Sequence, residues 1–186
     1  MMPVAPLMIE HRLIERMIRV IGAQLTQMEK KSEVNIEFVE EAVDFIRTYT
    51  DSCHHGKEED ILFRDLKVKP LTGELQRILD ELIDEHRKGR EVVGQLVKAK
   101  EQYIRGETEA ISRIIACMRY LVDFYPKHIE KEDRNFFLPC MVYFTKQEQD
   151  AMLKEEMDFD RNFVHVRYKA VVESAERACG LGKPQG

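Results

Sequence analysis

Tryptophan is absent from this chain, and its 186 residues include only 9 glycines, 6 prolines and 4 cysteines. So little glycine and proline excludes collagen-like and low-complexity architectures and leaves few points where a helix must stop. The cysteines, Cys53, Cys117, Cys140 and Cys179, form no C-x-x-C pair. Without such a pair or an export signal they read as reduced thiols, which predicts a cytoplasmic protein. The N-terminal MMPVAPLMIEHR has neither a basic stretch nor an apolar core, so no secretory leader is expected. No apolar run approaches the roughly 20 residues a membrane-spanning helix needs. Lys and Arg number 29 against 34 Asp and Glu, a net charge of −5, and the two signs are interspersed. No basic stripe results, which argues against a nucleic-acid partner. Phosphate-binding glycine motifs, the zinc-protease H-E-x-x-H and the paired Glu-x-x-His of ferritin-like centres are all missing. Nor does any Ser- or Cys-centred triad emerge.

The chain is instead rich in helical periodicity. Hydrophobic residues make up 44% and charged residues 34%, a balance suited to long amphipathic helices around one core. Five segments follow. The first, from about Pro6 to Lys31, carries Leu7, Ile14, Met17, Ile18, Ile21 and Leu25 on one face. Asn35 caps a second running to about Leu66, with Val39, Ala42, Val43, Ile46 and Cys53 as its stripe. A third starts near Thr72 and ends at Gly106, a C-terminal cap. A fourth starts near Glu107 and ends near Phe136-Phe137-Leu138, before Pro139, with Pro126 expected to kink it or start a new segment. Thr145 and Glu148 form a capping-box pattern at the head of a fifth, which reaches about Ala178 with room for a break. The fold class expected is all-α: an up-down-up-down four-helix bundle over residues 1–144, a C-terminal helical extension over 145–178 packed on it, and a flexible tail over 179–186.

Four of the six histidines fall at one height in such a bundle. With turns centred near residues 33, 69 and 106, His11 and His54 lie about 22 and 21 residues from the first, His54 and His86 about 15 and 17 from the second, and His86 and His128 about 20 and 22 from the third. At 1.5 Å per residue, each mismatch is only about 3 Å. One imidazole from each helix at one level is what a buried metal site requires. Carboxylates follow four residues on in His54–Glu58, His55–Glu59 and His128–Glu132, and residues so spaced share a helix face. Each carboxylate has two oxygens and can bridge two cations, and imidazole with carboxylate suits iron, manganese or zinc. Extrapolation from Val39 and Ile111 at about 3.6 residues per turn favours His54 and Glu58 over His55 and Glu59, and supports His128 with Glu132. His55 is then expected at an outer or exposed position, as are Glu59 and Asp133, with Asp133 a substitute for Glu132. His165 misses the common level by about 14 Å and is expected to be a surface or packing residue. Phe45, Tyr49, Phe124 and Tyr125 read as core, with a dry wall for the site as the functional alternative.

The pattern Ile9-Glu10-His11, HHGKEEDILF, EHRKGR and HIEKEDRNFFLP resembles the hemerythrin-like (HHE cation-binding) family over about residues 7–140. That resemblance implies a non-haem di-iron centre, two iron ions joined by an oxo or hydroxo bridge, with His11, His54, Glu58, His86, His128 and Glu132 as ligands and the two glutamates bridging. It implies a protein that binds or senses a small oxidant such as oxygen, nitric oxide or peroxide, or handles iron. The alternative is a di-iron enzyme of the peroxidase, ferroxidase or nitric-oxide reductase type. Oxygen-carrying hemerythrins have two histidines four apart on the third helix, whereas His86 here is followed by Arg90. The site is thus expected to be one imidazole short, which tells against simple oxygen carriage. Any sensor role would need a protein partner, through the fifth helix; the oligomeric state is left open.

Overall fold

The computed structural model describes residues 1–160 and 164–181, and the chain is all-α, with no strand among the described residues. Helix α1 spans Val4–Lys31 and ends at Ser32, whose left-handed backbone turns the chain. Helix α2 starts at Ile36–Asp44, with the Asn35 side chain accepting from the Phe38 backbone N–H, and continues to Leu66. Along that rod Phe45–His55 and Glu58–Phe63 are wound as π-helix. The Gly56 N–H accordingly bonds back five residues to the Asp51 carbonyl. Helix α3 spans Gly73–Ile104 under a Thr72 cap, and Gly106, at φ +92°, provides the left-handed turn after it. Helix α4 spans Ala110–Lys131 and runs on through a π-helical Glu132–Phe136 and the short turns Phe137–Cys140 and Met141–Tyr143. Pro126 lies inside α4 without ending it.

Four rods joined by short turns pack α1 on α2, α2 on α3, α3 on α4 and α4 back on α1, closing an up-down-up-down bundle. The last segment divides. Helix α5, Lys146–Phe159, opens on the Thr145–Glu148 capping box, and helix α6 spans Val164–Ala178. The tail expected over 179–186 lies, from residue 182 onward, outside the described residues. No described helix is long and apolar enough to cross a membrane.

The core falls into two apolar clusters. The larger, around Ile14, Met17, Ile21, Phe38, Val39, Leu96, Ile114 and Leu121, also takes in Tyr168 and Val172 of α6. The smaller, around Leu7, Ile61, Phe63, Leu79, Leu82, Phe136 and Phe137, takes in Met152 of α5. Between the two lies a polar layer whose members are as buried as any leucine: His11, His54, His55, Lys57, Glu58, His86, His128 and Glu132. Desolvating that many ionisable groups is costly unless something compensates their lone pairs and charges.

Candidate metal centre

Each helix of the bundle sends histidine or glutamate into this layer. His11 comes from α1, His54, His55 and Glu58 from the π-wound part of α2, His86 from α3, and His128 and Glu132 from the end of α4. Their ligand atoms gather in two groups. In one, His11, His54, Glu58 and Glu132 offer atoms within 4.8 Å of one another; in the other, His55, His86 and His128 do. The two carboxylates join the groups. Glu58 turns Oε1 to His54 Nε2 (3.4 Å) and Oε2 to His86 Nε2 (3.4 Å). Glu132 turns Oε2 to His11 Nε2 (3.2 Å) and Oε1 to His128 Nε2 (3.2 Å) and His86 Nε2 (3.6 Å).

His55 is where the structure departs from the sequence reading. It is buried, its ring stacked on His86 with centroids 3.8 Å apart, and it completes the second group. The choice between His54 and His55 was therefore a false one, since both point inward. Extrapolation at 3.6 residues per turn assumed an α-helix. The π-helix from Phe45 to His55 widens the turn, so adjacent residues share the inner face. Five imidazoles gather in the layer, His55 coming from α2 where α3 carries Arg90. Adjacent histidines within an interrupted apolar stripe were the available sequence signal.

The outward nitrogen of every ring is held. Nδ1–H of His11 donates to Asp133 (2.7 Å), of His54 to Glu10 (2.8 Å), of His55 to Asp51 (3.3 Å), of His86 to Glu59 (2.7 Å) and of His128 to Glu85 (2.8 Å). Each carboxylate is paired in turn with a cation: Asp133 with Arg12, Glu10 with Lys57, Asp51 and Glu59 with Arg90, and Glu85 with Lys131. These bonds fix ring orientation and place the proton on Nδ1, leaving the Nε2 lone pair facing inward. Asp133 and Glu59 thus stand behind histidines, and Glu10, Asp51 and Glu85 are the same kind of partner that sequence reasoning passed over.

The residues fit a cation. Nε2 of His11, His54, His86 and His128 and all four oxygens of Glu58 and Glu132 are buried without a hydrogen-bond partner among the described residues. Lone pairs facing one another at 3.2–3.6 Å in a dry interior need positive charge between them. Titration preferences reflect the same crowding. Burial and the facing Glu132 push Glu58 well above the usual carboxylate range. Burial would raise Glu132 too, but His128, His11 and His86 outweigh it and hold Glu132 well below. Burial, reinforced by His86, drives His55 down to about 3. Burial opposes charge on His11 as well, yet the Asp133 and Glu132 carboxylates beside it push it up to about 9.

Aromatic rings dry the layer. Phe137 stacks on His11, Phe63 on His86 and Phe124 on His128, with centroids 5.2–5.8 Å apart. Phe63 and Phe137 each follow a glutamate of the layer, Glu58 and Glu132, by five residues, so a short stretch of helix supplies both carboxylate and wall. On one flank a cavity of about 250 Å³ opens beside His55 and His86, bounded by Asp51, Gly89, Arg90 and Tyr125. His165 is in neither group; its Nε2 lies 3.4 Å from Glu10 and 3.1 Å from Asp160.

No curated protein and no solved structure matches this chain. Among protein families, the Hemerythrin HHE cation binding domain matches residues 2–139, three-quarters of the length and the whole of the histidine layer. The chain therefore belongs to the hemerythrin HHE cation-binding family.

Proposed function

We propose that the chain holds two iron ions, one at His11 and His54 and one at His55, His86 and His128, with Glu58 and Glu132 spanning both, and that it uses them to bind or sense a small oxidant such as oxygen or nitric oxide. The observation that carries this is the splitting of each glutamate, one oxygen toward each histidine group. Two carboxylates so placed offset part of the charge of a pair of cations and offer each cation an oxygen from both. Iron in this setting would supply reversible electron transfer to a small ligand. The chain's own residues do the rest. Glu10, Asp51, Glu59, Glu85 and Asp133 fix the rings, and Phe63, Phe124 and Phe137 keep water from the inner nitrogens. The cavity beside His55 and His86 gives a small molecule a way in. All four cysteines are free thiols, in keeping with a cytoplasmic setting.

The alternative reading is an enzyme that turns over peroxide, which would reach the centre through that cavity. Metal analysis of the aerobically purified, untagged chain tests the first. About two irons per chain, with near-ultraviolet bands that shift on adding azide, are expected. No iron, and none taken up anaerobically from ferrous salt, would overturn it. Peroxide consumption well above that of free iron would move the assignment to an enzyme.

A further inference from the structure

The C-terminal helices reach the histidine layer through one buried ammonium. Lys57 is fully buried; its Nζ donates to Glu10 Oε1 and to the two oxygens of Asp160, at 2.8 and 2.9 Å. Asp160 stands at the C-terminal end of α5. The other oxygen of Glu10 accepts from Nδ1–H of His54. From α6, His165 closes the cluster, its Nδ1 lying 3.2 Å from the Tyr49 hydroxyl. Glu10, Cys53, Asp160 and His165 have the residue types and spacing of a cation site, but the cation is present already as the Lys57 side chain.

This arrangement differs from the others in the layer. Arg12, Arg90 and Lys131, which back the remaining carboxylates, are 53%, 41% and 25% exposed at the side chain, whereas Lys57 is 0%. Solvent screens the first three charges and leaves the fourth at nearly full strength. Among the described residues, only the Lys57 cluster contains a residue from outside the bundle. The fit is close: a Cβ on Gly56 would come within 3.0 Å of Phe159 Cζ, so glycine lets the end of α5 settle against α2 where Asp160 meets Lys57.

We propose that Asp160 and Lys57 are positioning residues through which the α5–α6 extension sets the strength of His54 as a metal ligand. This rests on the metal reading above. Glu10 is shared between an ammonium and an imidazole. Asp160 takes up two of the contacts of the Lys57 ammonium, which leaves Glu10 the stronger acceptor for the His54 N–H and makes the inward nitrogen a stronger donor. Without the charge on Asp160 the ammonium draws on Glu10 alone, the acceptor weakens, and His54 binds a cation less tightly and favours its oxidised form less.

Asp160→Asn in the full chain tests this, with Glu176→Gln as the control. Glu176 pairs in bidentate fashion with Arg16, at 3.0 and 2.8 Å, and ties α6 to α1 away from the relay. Ferrous iron is titrated anaerobically against a competing chelator, and the reduction potential of the loaded protein is recorded. Asp160→Asn is expected to weaken one of the two equivalents about 10- to 100-fold and to raise the potential. Asp160→Glu should restore both values, and Glu176→Gln should change neither. Wild-type values in Asp160→Asn would overturn the relay alone, as would an equal shift in Glu176→Gln, which would reduce the effect to loosened docking. A wild-type chain that takes up no iron would remove the metal reading and the relay together.

Discussion

Around His54 the chain is closed over. Its carboxylate partner lies against a buried lysine, the lysine against the end of α5, and the neighbouring cavity of about 490 Å³ reaches Glu10 and His165 but neither His11 nor His54. Around His55 and His86 the chain opens, with a cavity at the rings and an arginine, half in solvent, behind both carboxylates. The side chains are alike in the two groups, imidazoles held at Nδ1 and glutamates shared between them. What differs is the surroundings, and with them the dielectric and the access of solvent. On the proposed reading, an asymmetric pair of cation positions is built from nearly symmetric side chains, one position for holding and one for meeting a small molecule.

Removing what the groups have in common should have the largest effect. Glu132 faces His11, His86 and His128, so Glu132→Gln replaces an anion serving both groups with a neutral amide of the same size. We expect iron content to fall toward zero at both positions. The stabilisation on loading, about 4 kcal/mol when free metal is about 1,000 times its dissociation constant, should disappear, and with it the rise in melting temperature. Metal analysis and paired melts with and without iron read both, and an unchanged far-ultraviolet helical signal guards against misfolding. Retention of two irons would show that Glu132 is not a shared ligand.

His55→Ala separates the groups. It removes an imidazole from the open group and leaves His11, His54 and both glutamates intact. Iron content should drop from about two toward one, with the azide-sensitive bands lost. His54→Ala should also lower occupancy, and the iron that remains at the open group should still respond to azide. Identical spectra from the two variants would contradict the division into a closed and an open position.

The same residue marks how far the sequence could be read. The bundle was legible because stripes such as Ile14-Met17-Ile18-Ile21 and caps such as Asn35, Thr72 and Thr145 are local signals, and each acts where it stands. The meeting of His11, His54, His86 and His128 was legible because helix rise and turn position fix height. Which way adjacent side chains point depends on winding, and the π-helical stretch of α2 answers to the packing of the whole layer rather than to its own residues. Glu10 and Lys57 were hidden for another reason. Glutamate and lysine on a helix are ordinarily solvated, and only the docking of Asp160, more than a hundred residues away, makes this pair a buried one.

The smallest effect tests access alone. Gly89 lies on α3 at the wall of the open cavity, and a Cβ there would meet Phe124 Cε1 at 3.7 Å, an ordinary contact. Gly94, just over a turn further along the same helix, has nothing within 4 Å of such a Cβ. Alanine at either position should stabilise the helix by roughly 1 kcal/mol, since glycine gives up more backbone freedom on folding. The two variants should then melt alike, at slightly higher temperature than the parent. They should differ in the rate at which azide reaches the iron-loaded protein in stopped flow, because the methyl at residue 89 narrows the approach to His55 and His86 while that at residue 94 does not. Equal rates in Gly89→Ala and Gly94→Ala would mean that ligands enter by another route, and the open side of the centre would have to be sought elsewhere.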